Sequence, residues 1–110
     1  MPLYLYQLAY TSESIAAQLR DPQDRLEAAA RPVVEKVGGR LLGGGFCVGD
    51  YDAAFLYEAP VDESAAAIAL AVGAGGAVRA ARTTKLLSRP QWVSALAKAG
   101  EVAGVYQPRL

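Results

Sequence analysis

Four apolar runs of strand length, at residues 3–10, 40–48, 51–59 and 78–87, are spaced unevenly along the chain. Long gaps with helical patterns follow the first run and the third, whereas Gly49-Asp50 alone stands between the second and the third. So short a gap dictates an antiparallel hairpin, and Gly with Asp supplies residues that such a turn accepts at positive φ. The long gaps permit crossovers that bring the chain back beside strands distant in sequence. With 110 residues, the chain has the size of one domain around one core.

The first run, LYLYQLAY, ends at Thr11-Ser12-Glu13, a helix-start signal. Ile15 and Leu19 lie in the first helix, and Asp21-Pro22 reads as a fresh N-cap and N1 pair, so a break there and a second helical piece to Val37 are expected. In that piece Leu26, Ala29, Ala30, Val33, Val34 and Val37 share one face. Pro32 removes a backbone donor and predicts a kink, and Gly38-Gly39 closes the helix. Gly43-Gly44-Gly45 in the second strand predicts a bulge or close contact with another backbone. Asp62 opens an alanine-rich helix to about Ala71, with Ile68, Ala69 and Val72 on one face and Gly73, Gly75 and Gly76 ending it. After the fourth strand, Ser88-Arg89-Pro90 opens a last helix that holds Trp92, Val93 and Leu96 and closes at Gly100. The order is βαββαβ plus a C-terminal helix. It predicts an α+β, ferredoxin-like domain with a four-stranded antiparallel sheet, its core at about residues 3–88 and its tail at 89–110.

Composition removes several chemistries. The chain has no histidine and one cysteine, so Ser-His and Cys-His pairs, histidine-ligated haem and a zinc site lack their parts. No cofactor, metal or catalytic residue is assigned. Eleven basic and eleven acidic residues cancel, which gives no electrostatic reason to approach nucleic acid or an anionic membrane. The start MPLYLYQLAY has no basic region or cleavage site, and no apolar run approaches a membrane span, so a cytoplasmic protein is expected. Cys47, between Phe46 and Val48, reads as a small buried hydrophobe. Asp52 and Glu58 share a strand face but stand about 20 Å apart at ~3.3 Å per residue. That is too far for a cooperating acid/base pair. Asp50 and Asp52 read as acceptors for backbone donors around the turn. The glycine clusters lack the strand-to-helix placement and the Gly-Lys-Ser/Thr ending of a phosphate loop. Arg79, Arg82, Lys85 and Arg89 form the densest basic stretch, without a continuous stripe.

The turn Gly49-Asp50-Tyr51-Asp52, followed by FLYEAPVDESAAAIALAVGAGG and a Val-Arg pair, resembles the GYD domain family. The upstream run DRLEAAARPVVEKVGGRL is similar to the same family's first helix and second strand, so the resemblance covers roughly residues 4–84. It implies a ferredoxin-like domain of the dimeric α+β barrel type, in a family without an established biochemical function. The family's arginine after the last glycine cluster corresponds to Arg79 or Arg82.

Alternation puts Tyr4, Tyr6, Leu8 and Tyr10 on one face of the first strand and Leu3, Leu5, Gln7 and Ala9 on the other. The third strand offers Tyr51, Ala53, Phe55 and Tyr57 against Asp52, Ala54, Leu56 and Glu58. Both faces are substantially apolar, yet two crossover helices cover only one. A homodimer, or a multiple of dimers, that joins the open faces is therefore expected, with the tyrosine row at the interface; the C-terminal helix covering that face in cis is the competing arrangement. The expected function is a non-catalytic module that binds a small metabolite there through Tyr6, Tyr10, Tyr51, Asp52 and Arg79 or Arg82. Alternatives are a small cofactor-independent enzyme of oxygenase or isomerase type and a purely structural assembly protein.

Overall fold

A computed structural model describes residues 1–110. Strand β1 (Leu3–Tyr10) leads into α1 (Ser12–Arg20) and then into α2 (Arg31–Lys36), which is preceded without interruption by a π-helical turn, Leu26–Ala30. Strands β2 (Arg40–Phe46) and β3 (Ala53–Glu58) form the hairpin, α3 (Asp62–Ala74) crosses over to β4 (Val78–Leu86), and α4 (Arg89–Ala103) follows. All pairings are antiparallel in the order β2-β3-β1-β4. This is the α+β, ferredoxin-like plan expected from the strand spacing, with α2 and α3 on one side of the sheet. No helix is long and apolar enough to cross a membrane.

Local chemistry sets the boundaries. Thr11 caps α1 by accepting the Ser14 amide at 3.1 Å. The second helical piece starts later than Asp21-Pro22: Asp24 Oδ1 accepts the amides of Leu26 and Glu27 at 3.1 and 3.3 Å and is the working cap. At Pro32 the helix continues, as the expected kink rather than stop requires, and the turn before it changes register. Its missing N–H leaves the preceding turn free to widen, and the Arg31 amide bonds back to the Leu26 carbonyl, five residues away. Gly38, at φ +82°, follows α2, and its amide and that of Gly39 close the last turn on Glu35 and Val34.

The hairpin departs from expectation. Gly49 does not have positive φ; residues 47–52 form a wider loop, closed where the Cys47 amide donates to the Asp52 carbonyl at 2.8 Å. Phe46 ends β2, and Cys47 is exposed on this loop rather than buried. The bulge falls between Leu41 and Gly43, while Gly44 makes the close backbone approach: a Cβ there would stand 2.5 Å from the Ala54 carbonyl oxygen. Helix α3 passes through Gly73 to Ala74, and α4 passes through Gly100 to Ala103, because α-helical φ suits glycine at a modest cost.

The core also corrects the sequence reading. Tyr4, Tyr6 and Leu8 of β1 stand opposite Tyr57, Phe55 and Ala53 of β3, and all six are buried together with Val34, Ala65 and Ile68. The tyrosine row therefore lies beneath α2 and α3 and is core, not the open-face interface expected of it. Alternation assigns residues to faces but cannot say which of two apolar faces the helices take; here the bulkier aromatic face takes them. Leu3, Leu5, Ala54 and Leu56 line the opposite face and are half-buried.

Helix α4 starts from a full capping box, Ser88 with Gln91. It has no buried residue and no extended packing on the rest of the chain. The radius of gyration is 17.5 Å, against about 13 Å for a compact domain of this length. The tail is an arm and does not cover the open face in cis.

Candidate cavity between the sheet and the helices

A cavity of about 340 Å³ opens between the helix-side face of the sheet and α2 and α3. Its sheet wall is Tyr6, Leu8, Tyr10, Phe55 and Val78; its helix walls include Leu26, Ala29, Ala30 and Val33 on one side and Ile68, Ala71 and Val72 on the other. Alanines face aromatic rings across this space, so the walls stand apart where larger residues would have met. The π turn adds to the separation: three of its residues, Leu26, Ala29 and Ala30, line the cavity. Such widened turns recur at binding sites because they displace one helix face from regular packing.

Thirteen of the fifteen lining residues are hydrophobic. Tyr6 is 1% exposed, and its hydroxyl has no hydrogen-bond partner in the protein. Burial raises its pKa, so it stays a neutral phenol able to donate or accept one bond. The Tyr57 hydroxyl is likewise buried and unpartnered. Tyr10 is half-buried at the cavity; burial raises its pKa, the Arg25 guanidinium pulls it down and the Asp52 carboxylate pushes it up. Arg25 precedes the π turn and is the charged member of the wall.

The residues expected to form a site are thus partly brought together. Tyr6 and Tyr10 line the cavity. Asp52 is linked to it through β1, since its Oδ2 accepts the Tyr10 amide at 2.8 Å. This donor comes from the neighbouring strand, not from the turn. Tyr51 lies half-buried in the loop before β3 and is not part of the wall. Arg79 occupies the unpaired position of the β4 irregularity, and Arg82 stands beside Gln7 on the open face; both are exposed and outside the cavity. Arg25 was missed by the sequence reading. The available signal was the small-residue stripe Leu26, Ala29, Ala30 and Val33, which needed to be set against the aromatic strand face rather than treated as filled core.

A wider cleft of about 630 Å³ lies where the sheet meets the start of α4. Its charges are already engaged: Arg40 pairs with Glu58 at 2.9 Å, and Lys85 with Asp62 at 2.9 Å. No group of three or more acidic or cysteine side chains converges to hold a metal.

The GYD domain profile matches residues 4–96. The X-ray crystal structure of protein Atu4242 from Agrobacterium tumefaciens, a structural-genomics target, is similar at a TM-score of 0.50 and 14% identity, over 81% of this chain and 95% of that one. That likeness supports the fold alone. No curated protein matches the chain. The profile spans both crossovers, the hairpin and all four strands, and the chain belongs to the GYD domain family.

Proposed function

We propose that this GYD domain binds a small, largely apolar molecule in the cavity between sheet and helices and does not transform it. The carrying observation is Tyr6: a buried hydroxyl without a protein partner, in the wall of an apolar cavity of ligand size. An unsatisfied buried hydroxyl costs about 1–3 kcal/mol, which a polar atom that reaches it on binding would offset. The wall supports binding over catalysis because it offers phenols and one guanidinium, with no carboxylate, thiol, amine or aliphatic hydroxyl. Non-ionised phenols are weak bases and weak nucleophiles, which disfavours the cofactor-independent enzyme.

The same reading makes the working unit a homodimer or a multiple of dimers. Leu3, Leu5 and Leu56 leave an apolar sheet face that α4 does not cover, and α4 carries Trp92, Val93 and Leu96 at 59%, 65% and 55% exposure. An apolar face and an apolar arm on one chain suit a second copy, which can cover both at once. Light scattering should give twice the chain mass or an even multiple. Trp92→Asp should weaken the assembly without unfolding the domain, since Trp92 is largely exposed and α4 has no buried residue. A monodisperse monomer at micromolar concentration would overturn the dimer. An unbridged, exposed Cys47 suits a reducing cytoplasm.

The binding reading is tested by screening small metabolites for thermal stabilisation of the wild type and of Ala29→Leu, which fills the cavity. A ligand of this site raises the melting temperature of the wild type and not of the filled variant. Equal stabilisation of both would move the site elsewhere. No stabilisation by any compound would favour the structural assembly protein.

A further inference from the structure

We propose that the cavity selects small apolar monoanions, an aromatic or branched aliphatic carboxylate, held with its charged end at Arg25 and Tyr10 and its body against Phe55 and Ile68. This rests on the binding reading above and specifies the class of ligand. Four observations carry it.

First, Arg25 is the only charged residue of the wall, and no acidic side chain accompanies it there. The Asp52 carboxylate, whose charge Tyr10 also feels, lies outside the wall and is occupied by the Tyr10 amide, so within the wall Arg25 alone presents a charge, one that attracts an anion. Second, Arg25 is half-buried, yet it takes part in none of the ion pairs of the chain, which join Arg31 to Glu27 and Glu35, Arg40 to Glu58, and Lys85 to Asp62. Its guanidinium fork therefore remains available for two parallel bonds to a carboxylate. Third, Tyr10 lies in the same wall and feels the Arg25 charge; its neutral hydroxyl is a donor that can join Arg25 on one carboxylate oxygen. Fourth, the volume of about 340 Å³ is near the lower end of the ~300–1,000 Å³ range of small-molecule pockets. A ring or a short branched chain fits that space, and a nucleotide does not. The wall beyond Arg25 and Tyr10 is apolar except for Tyr6, whose hydroxyl is itself buried, so the body of the ligand meets an almost wholly apolar surface.

The probes are phenylacetate and isovalerate, with phenylacetamide as the neutral counterpart of the first. Binding to the full chain is followed by two-dimensional amide NMR, reading Ala29, Ala30 and Val72. Phenylacetate should shift these amides with an affinity about tenfold above that of the amide, the difference that one charge-assisted pair supplies. Arg25→Gln should bring acid and amide to the same affinity while leaving the spectrum of the free protein otherwise unchanged. Rising salt should weaken the acid and not the amide. If phenylacetamide binds as well as phenylacetate, and Arg25→Gln changes neither, the cavity is a ligand site but the anion preference is overturned. If none of the three perturbs the cavity amides at millimolar concentration, the anion preference falls; the binding reading then stands or falls separately on the Ala29→Leu screen.

Discussion

The Tyr4 hydroxyl donates to Asp62 Oδ1 across 2.6 Å, joining the buried side of β1 to the first residue of α3. Lys85 completes the group from β4, with its Nζ 2.9 Å from the same carboxylate. One acidic side chain thus ties the central strand, an edge strand and a crossover helix, and its negative charge also suits the N-terminal end of α3.

This contact predicts an acid limb of stability. The hydrogen bond from Tyr4, then Lys85, holds the Asp62 carboxyl below its ordinary 3.8. The unfolded chain therefore takes up this proton more readily than the folded one. The contribution is intact above about pH 4 and is lost as pH falls through the depressed value. Asp62→Asn should lower stability at pH 7 and flatten its decline below about pH 4. Urea unfolding of both proteins at several acid pH values checks this; parallel acid limbs would remove Asp62 from the account.

Asp52 gives a second prediction. Its carboxylate accepts the Tyr10 amide at 2.8 Å, and its own amide donates to the Leu8 carbonyl, also at 2.8 Å. The side chain thus continues the β1–β3 ladder past the last paired residues. Asp52→Ala should cost about 1–2 kcal/mol, and Asp52→Asn, which keeps an acceptor oxygen, less than half of that. Because Tyr10 lines the cavity, Asp52→Ala should also weaken any ligand that stabilises the wild type. Equal loss in the Asn and Ala variants would show that charge, not the bond to Tyr10, is what matters.

The same residues show how far the sequence could be read. The hairpin between two helix-bearing gaps left the ferredoxin-like order as its natural solution, and Thr11, Gly38 and Ser88 marked element ends because capping is local chemistry. The faces of β1 and β3 were legible as sets, since alternation is fixed by the pleat. Their destinations were not: Tyr4, Tyr6 and Phe55 versus Leu3, Leu5 and Leu56 is a choice made by helices packed from elsewhere in the chain. The π turn was half legible. Pro32 announces a lost hydrogen bond, but whether the helix bends or widens depends on what faces it, here a row of rings opposed by alanines. Arg25 was hidden for the same reason, because nothing local distinguishes an arginine beside a cavity from a solvated one.

Gly44 and Gly45 should differ sharply although they are neighbours in one strand. A methyl group at Gly44 would meet the Ala54 carbonyl oxygen at 2.5 Å and the Phe55 Cβ at 2.7 Å, whereas at Gly45 it would meet nothing within 4 Å. Neither has positive φ, so the contrast is one of space. Gly44→Ala should destabilise by about 3 kcal/mol through forced separation of β2 from β3. Gly45→Ala should stay within about 0.5 kcal/mol of the wild type. Denaturant midpoints measure both, and similar costs would mean that β2 does not approach β3 as closely as this register requires.

Tyr57 allows the last prediction, which separates a phenol that is merely buried from one that is satisfied. Burial, then the charge of Tyr6, pushes its pKa up to about 12; burial, then the bond to Asp62, pushes that of Tyr4 to about 12 as well. In the unfolded chain both ionise near the ordinary 10.0. Keeping these phenols neutral therefore stabilises the fold fully below pH 10, and the stabilisation is lost as pH rises from about 10 to 12. Phenolate absorbance should consequently show a late rise that coincides with loss of circular dichroism. Tyr57→Phe removes one of the late groups and an unpartnered buried hydroxyl while keeping the ring that stacks on Tyr4 at 5.3 Å. It should shift alkaline unfolding to higher pH and raise stability at pH 7 by about 1 kcal/mol, the scale of relieving an unsatisfied hydroxyl. Destabilisation of that size would mean instead that a buried water bonds this hydroxyl.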